Sequence, residues 1–209
     1  MSVIKGRRSG AWVNASNQGK VRYEGAWDDF GASAPVLTET LTWPYQPTGV
    51  DGVDGSTYYA MGAEFALTGG VGQRDCLGIQ WRAPTNTPNP GLPTVNHRVM
   101  LYRKQDNSLL ASKEFTPVPG QYNNVMFDSP VRLLDGFTYD YVAAVYTWHY
   151  VFASPPGAPG TWVVKSPSNN VFHEVSRLGV SNSPPSSSSS LNVFNSFYYV
   201  SPIVAVNAP

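Results

Sequence analysis

Charge is scarce in this sequence. Asp, Glu, Lys and Arg together make up 13% of its 209 residues, about half the share of an ordinary soluble domain. The acids and bases balance at 14 each, so the chain as a whole has no electrostatic bias toward nucleic acid or an anionic membrane. Cysteine is scarcer still. Cys76 is alone, which rules out an intrachain disulfide and any multi-cysteine zinc site; within CLGIQW it reads as a small buried hydrophobe. No window has the run of apolar residues that a membrane span needs. The opening MSVIKGRRSGAWVN is basic but is followed by no apolar core of signal-peptide length, so the expectation is a soluble chain that does not use the general export route.

Reactive clusters are missing as well. His97, His149 and His173 show none of the spacings by which histidines share a metal ion. His149, inside the aromatic run YTWHYVF, reads as a packed or rim residue. There is no G-x-S-x-G elbow for a nucleophilic serine, and TGGVGQ lacks the G-K-[ST] ending of a phosphate loop. The close acidic pairs, Asp28-Asp29 and Asp51/Asp54, fall in glycine-rich stretches. A glycosidase instead sets two carboxylates across a cleft from separate strands, and a calcium loop needs more oxygen ligands than Asp51 and Asp54 supply. The expectation is a protein without catalytic residues, metal or cofactor.

What the chain does have is turns and rings. Gly and Pro number 19 and 18, and aromatics reach 13% with 12 tyrosines. That composition suits β-strands joined by frequent turns. From residue 56 on, strand-length segments follow one another: Tyr58–Leu67, Cys76–Arg82, His97–Lys104, Ser108–Thr116, Tyr122–Phe127, Val131–Leu134, Tyr139–Phe152, Thr161–Lys165, Val171–Val175 and Phe194–Val206. Gln105-Asp106-Asn107 has the length and chemistry of a tight hairpin. Val99 and Leu101 alternate with Arg98, Met100 and Tyr102, placing the two sets on opposite faces of one strand. Tyr139–Phe152 is apolar on both faces, as a central or doubly covered strand must be. SNSPPSSSSS at 181–190 reads as a polar low-complexity loop with nothing to pack. The fold expected is all-β, an antiparallel jelly-roll-like β-sandwich with an extended N-terminal arm, the arm being residues 1–55 and the sandwich 56–209.

The first 23 residues hold five bases and no acid, and aromatic residues are scattered through the arm. Arg7, Arg8, Trp12, Trp27, Phe30 and Trp43 are the candidate partner-docking residues, with the rings either entering a neighbour's surface or packing back on their own domain. The rings of Tyr139–Phe152 and beyond have two readings too. They form a core or a protein interface, or Tyr146, Trp148, Tyr150 and Trp162 form a platform for sugar rings.

Several motifs then acquire a common look: YAMGAEF at 59–65, LGIQW at 77–81, RVMLY at 98–102 with SLLAS at 108–112, VMFDSPV at 125–131 with GFTYDY at 136–141, and SFYYV at 196–200. Together they resemble the DUF4082-like β-sandwich. The N-terminal sequence with one sandwich attached is similar to minor tail proteins of phages that infect actinobacteria. That resemblance implies a non-enzymatic structural component of the virion tail, assembled in the host cytoplasm. Its implied partners are other tail proteins and a host cell-surface glycan, with no nucleic acid and no membrane insertion, and the chain would be a homo-oligomer in the particle. The alternative is a carbohydrate-binding module that recognises cell-wall glycans.

Overall fold

The computed structural model describes residues 4–8, 11–15, 20–23, 26–29, 36–45, 47, 52–53, 58–67, 74–85, 97–134, 140–154, 164–168 and 170–207; before residue 38, and at 52–53 and 206–207, the description is of backbone alone. The chain divides into two units, Met1–Val36 and Leu37–Asn207. In the first, β1 (Ile4–Arg8), β2 (Ala11–Ala15), β3 (Lys20–Tyr23) and β4 (Ala26–Asp29) pair in chain order as an antiparallel sheet. The stretch read as an arm therefore has strands of its own. The division at Val36 lies well before the turn cluster at 50–55.

The second unit contains β5 (Val36–Glu39), which spans the division, β6 (Gly52–Val53), β7 (Tyr59–Leu67), β8 (Arg74–Arg82), β9 (His97–Arg103) and β10 (Ser108–Phe115). There follow β11 (Tyr122–Leu133), β12 (Asp140–Thr147), β13 (His149–Tyr150) and β14 (Val164–Lys165). The last strands are β15 (Val171–Val180), β16 (Asn192–Phe194) and β17 (Val200–Asn207). One sheet runs β10-β9-β12-β7-β15-β14, with β16 also on β15, and the other runs β11-β8-β17-β5. The two antiparallel sheets pack face to face, and the expected all-β sandwich is what forms. Tyr122–Phe127 and Val131–Leu134, separate in the sequence reading, are one strand whose register on β8 breaks between Met126 and Val131. The Ser-Pro pair at 129–130 sits in that irregularity, where a residue without an N–H is tolerated.

Alternation decides which side chains meet. Met61, Phe65, Val99, Leu101, Ala143 and Val145 enter the core between the sheets, against Ile79, Trp81 and Val204 of the other sheet. Their neighbours Ala60, Met100, Tyr102, Val142, Ala144 and Tyr146 form a second buried cluster on the opposite face of the first sheet. The hairpin between β9 and β10 turns at Asn107, whose φ is 57°, a left-handed conformation that Asn adopts more readily than most residues.

The serine-rich segment covers that second cluster, which corrects the expectation of a loop with nothing to pack. Leu191 and Ser188 are buried. Tyr102 Oη donates to the Pro185 carbonyl at 2.6 Å, Tyr146 Oη to the Ser181 carbonyl at 3.3 Å, and Ser188 Oγ to Asn107 Oδ1 at 2.9 Å. A single 3₁₀ turn, Ser188–Ser190, is capped by the Ser187 side chain. Polar side chains do not exclude packing when the backbone and a flanking Leu do the covering.

On the other side of the sandwich the residues after the division are tied in by buried polar contacts. Ser166 Oγ donates to Glu39 Oε2 at 2.7 Å, and Leu41 N–H donates to Ser201 Oγ at 2.6 Å. Trp43 lies against Phe197, His173 and Tyr199, with ring centroids 5.0, 5.3 and 5.8 Å away. Its ring packs on its own chain rather than standing free for a neighbour, because the strand before it has joined the sheet edge.

If the serine segment is structural cover, Leu191→Ala should destabilise the protein by about 3 kcal/mol, as for other buried leucines. Urea unfolding of the variant measures this. A change near zero would restore the reading of an unpacked loop.

Candidate functional site

The sandwich is open along one side. There β10 ends the first sheet and β11 ends the second, and the two edge strands flank a cleft of about 460 Å³. Phe115, Tyr122, Met126, Gln121, Asn123 and Asn124 line it. Tyr122 and Met126 are 42% and 47% exposed. The charges at the cleft are already engaged: Lys113 pairs with Asp128, and Glu114 with Arg98. What remains toward solvent is aromatic, thioether and amide surface. The Arg82 guanidinium carbon lies 5.4 Å from the centre of the Tyr122 ring, which helps hold that ring in place.

Local sequence sets the cleft's end. Asn123 braces the preceding turn, its Oδ1 accepting from Val118 N–H at 2.6 Å and its Nδ2 donating to the carbonyls of Val118 and Gln121 at 3.2 and 3.0 Å. Gly120 has φ of +69°, a conformation that favours glycine. Its N–H donates to the Pro84 carbonyl at 2.6 Å, while Ala83 N–H donates to the Gln121 carbonyl at 2.9 Å. Thr116 and Val118 line the cleft, whereas Pro117 and Pro119 line a small pocket beside Trp81 and His97. Asn124 Oδ1 accepts from Gln80 Nε2 at 2.9 Å, which turns its amide into a fixed feature of the wall.

A second concentration of polar groups lies on the outer face of the first sheet. Carboxylate oxygens of Glu64, Asp140 and Glu174 all lie within 4.8 Å of one another. Glu64 is buried; Arg177 donates to its Oε2 from Nε at 2.6 Å and also from Nη2. Lys104 Nζ is 3.7 Å from Glu64 Oε1. Arg177 Nη1 also donates to the Leu191 carbonyl at 3.2 Å. Burial, and then Asp140 and Glu64, push the Glu174 carboxyl up to about 7. The Asp140 carboxyl is raised by burial and by Glu64. The oxygens have the donor type that a hard cation takes, but Arg177 and Lys104 already offset two of the three negative charges, and below about pH 7 a proton on Glu174 offsets the third. The group is an ion-pair knot between strands. Its members are far apart in sequence, and the one visible sign was a lone Glu64 inside the apolar strand YAMGAEFAL.

The residues singled out from sequence fall in several places. Tyr146 and Trp148 are only 3% and 4% exposed, so their rings offer no face to a sugar. Tyr146 stacks on Tyr58 at 5.6 Å and Trp148 on His149 at 5.6 Å. Tyr150 is half-buried against Tyr59 and Tyr198. The aromatic run became core because its strand is central and covered on both faces. Arg7, Arg8, Trp12 and Trp27 fall on β1, β2 and β4, but their side chains, like Phe30 and Trp162 altogether, lie outside the described residues. Phe115 and Tyr122 escaped the sequence reading because each is a single ring on a strand whose edge position only the assembled sheets define.

The ionisable side chains are tuned by burial. His97 is driven down to about 4 by burial and by His149, and His173 to about 3 by burial. Both are neutral at pH 7. The Cys76 thiol is fully buried and pushed up to about 12 by burial, which makes it inert rather than nucleophilic.

These shifts act on stability with opposite signs. A histidine lowered on folding stabilises fully above its unfolded value near 6.5, and that contribution is lost as pH falls through 6.5 toward 4. A carboxyl raised on folding stabilises fully below its unfolded value near 4.5, and that contribution is lost as pH rises toward 7. Glu174→Gln should therefore gain stability relative to the parent as pH rises from 5 to 8, measured by urea unfolding at each pH; a constant difference would contradict the raised carboxyl. The chain matches no family model, and comparison with curated proteins finds no match.

Proposed function

We propose that this chain is a non-enzymatic structural component of a phage virion, a minor tail protein, whose sandwich offers the cleft between β10 and β11 to a glycan on the host surface. The observation that carries the binding half of this reading is the chemistry of the cleft. Its charged side chains, Lys113 and Glu114, are paired with Asp128 and Arg98, and its exposed surface combines the Tyr122 ring with amides of Gln121 and Asn124. A neutral sugar presents the complement, with C–H-rich faces for the ring and hydroxyls for the amides. Assignment to a tail rests on the sequence resemblance and is supported by a chain in two units, one of which can hold while the other touches. Repeated copies in a symmetric particle would add avidity to a weak single contact.

The second reading, a carbohydrate-binding module acting away from any particle, uses the same cleft and is favoured by the same lining residues. One measurement separates them, and a second tests the cleft that both use. An antibody against the chain should label the tails of purified particles; label confined to free protein would favour the module. In glycan binding, Tyr122→Ala should weaken retention of the full chain on actinobacterial wall polysaccharide by about tenfold, the loss of one stacking contact worth about 1.4 kcal/mol. Val193→Ala, on the exposed β16, should leave retention unchanged. Equal binding by the parent and Tyr122→Ala would remove the cleft from the account.

A further inference from the structure

The cleft wall includes a sulfur atom open to solvent. Side chains alternate along β11, so Val125 and Phe127 enter the core and Met126 between them points to the other face. There it is 47% exposed and lines the cleft. The neighbouring strand leaves it uncovered. Opposite Met126 on β8 stands Gly78, which has no side chain to lay across the thioether. A Cβ at that position would come 2.2 Å from the Val125 carbonyl oxygen, so a larger residue has no room there. The other described sulfurs are shut away. Met61, Met100 and Cys76 are each 0% exposed, and Met100 Sδ also accepts from Tyr102 Oη at 3.0 Å. Among the described residues, which do not include Met1, Met126 is the one sulfur that a small oxidant in water can reach.

Access decides the chemistry, because a thioether has no proton to lose before it reacts. Its sulfur lone pair attacks one oxygen of hydrogen peroxide. An S–O bond forms and the O–O bond breaks; the sulfur gives up two electrons, and the displaced oxygen takes the remaining proton and leaves as water. The product is a sulfoxide, a polar group that holds water where the thioether offered apolar surface. We propose that Met126 is an oxidation site for hydrogen peroxide, and that its sulfoxide weakens the hold of the cleft on a glycan. The second half rests on the glycan reading of the cleft. Tyr122, Asn124 and Met126 share one exposed face of β11, so a sugar stacked on the ring extends along the strand toward the thioether. A C–H face that packs on the thioether must instead strip water from the sulfoxide.

Two measurements on the full chain test this. After brief exposure to hydrogen peroxide, tryptic peptide 114–132, which contains Met126, should gain the mass of one oxygen atom. Peptides 23–74 and 99–103, which contain Met61 and Met100, should stay unmodified, and in urea all three should oxidise alike. Oxidation of Met61 or Met100 as fast as Met126 in the folded chain would overturn the site. On actinobacterial wall polysaccharide the oxidised chain should be retained about fivefold less strongly than the untreated one, the effect of one small apolar contact. Met126→Leu, apolar and of similar volume, should bind as the parent does and be indifferent to peroxide. Methionine sulfoxide reductases for both epimers should restore mass and retention together. Unchanged retention of the oxidised chain, or an equal loss in peroxide-treated Met126→Leu, would overturn the effect on binding. Absence of retention before any oxidation would instead remove the glycan reading, and the peptide masses would still decide the oxidation site.

Discussion

The first sheet has to be buried on both faces. Its central strands β7 and β12 are buried almost throughout, and a strand of that kind cannot lie on the outside of a two-layer sandwich. One face finds the second sheet. The other finds the serine-proline segment, brought over the sheet by Tyr102, Tyr146 and Leu191. That cover looks unpromising as sequence, yet it places carbonyls where the two tyrosine hydroxyls need acceptors. A buried hydroxyl without a partner would offset much of what the aromatic ring contributes by leaving water.

Covering the outer face also traps a charge. Glu64 projects from β7 into that face and is matched by Arg177 from β15, which in turn holds the Leu191 carbonyl of the covering segment. Sheet, ion pair and cover are thus one unit. Replacing such a pair with apolar groups often costs little, whereas removing one partner leaves a stranded charge. The pair's contribution is best understood as specifying how β7 and β15 line up. The exposed pairs at Arg98–Glu114, Lys113–Asp128 and Arg132–Asp75 add little stability each. Two of them leave the open side of the sandwich electrically quiet.

That open side is where the molecule can meet something else. Edge strands expose unpaired backbone groups, and proteins blunt them with irregularities and charges. Here β11 has a register break with Pro130 in it, and β10 has one between Leu109 and Ala111. The edges are protected against pairing with another strand, while the cleft between them stays open. One short loop serves both sides: Thr116 and Val118 line the cleft, and Pro117 and Pro119 line a small pocket by Trp81 and His97.

Most strands after residue 56, the hairpin at 105–107, the two faces of β9 and the doubly buried character of β12 were legible in the amino-acid order, because period-two alternation and turn residues act over a few neighbours. Cys76 as a buried hydrophobe was legible for the same reason. Tertiary structure alone decided which strands became edges, and hence that Tyr122 rather than Tyr146 and Trp148 faces outward. It also decided that residues 37–45 belong to the sandwich and that a serine tract is cover rather than loop. The physical reason is common to all of these. Alternation says that a side chain points to one face, but what lies against that face depends on partners scores of residues away, and Glu64, Asp140 and Glu174 meet only once three strands have been laid side by side.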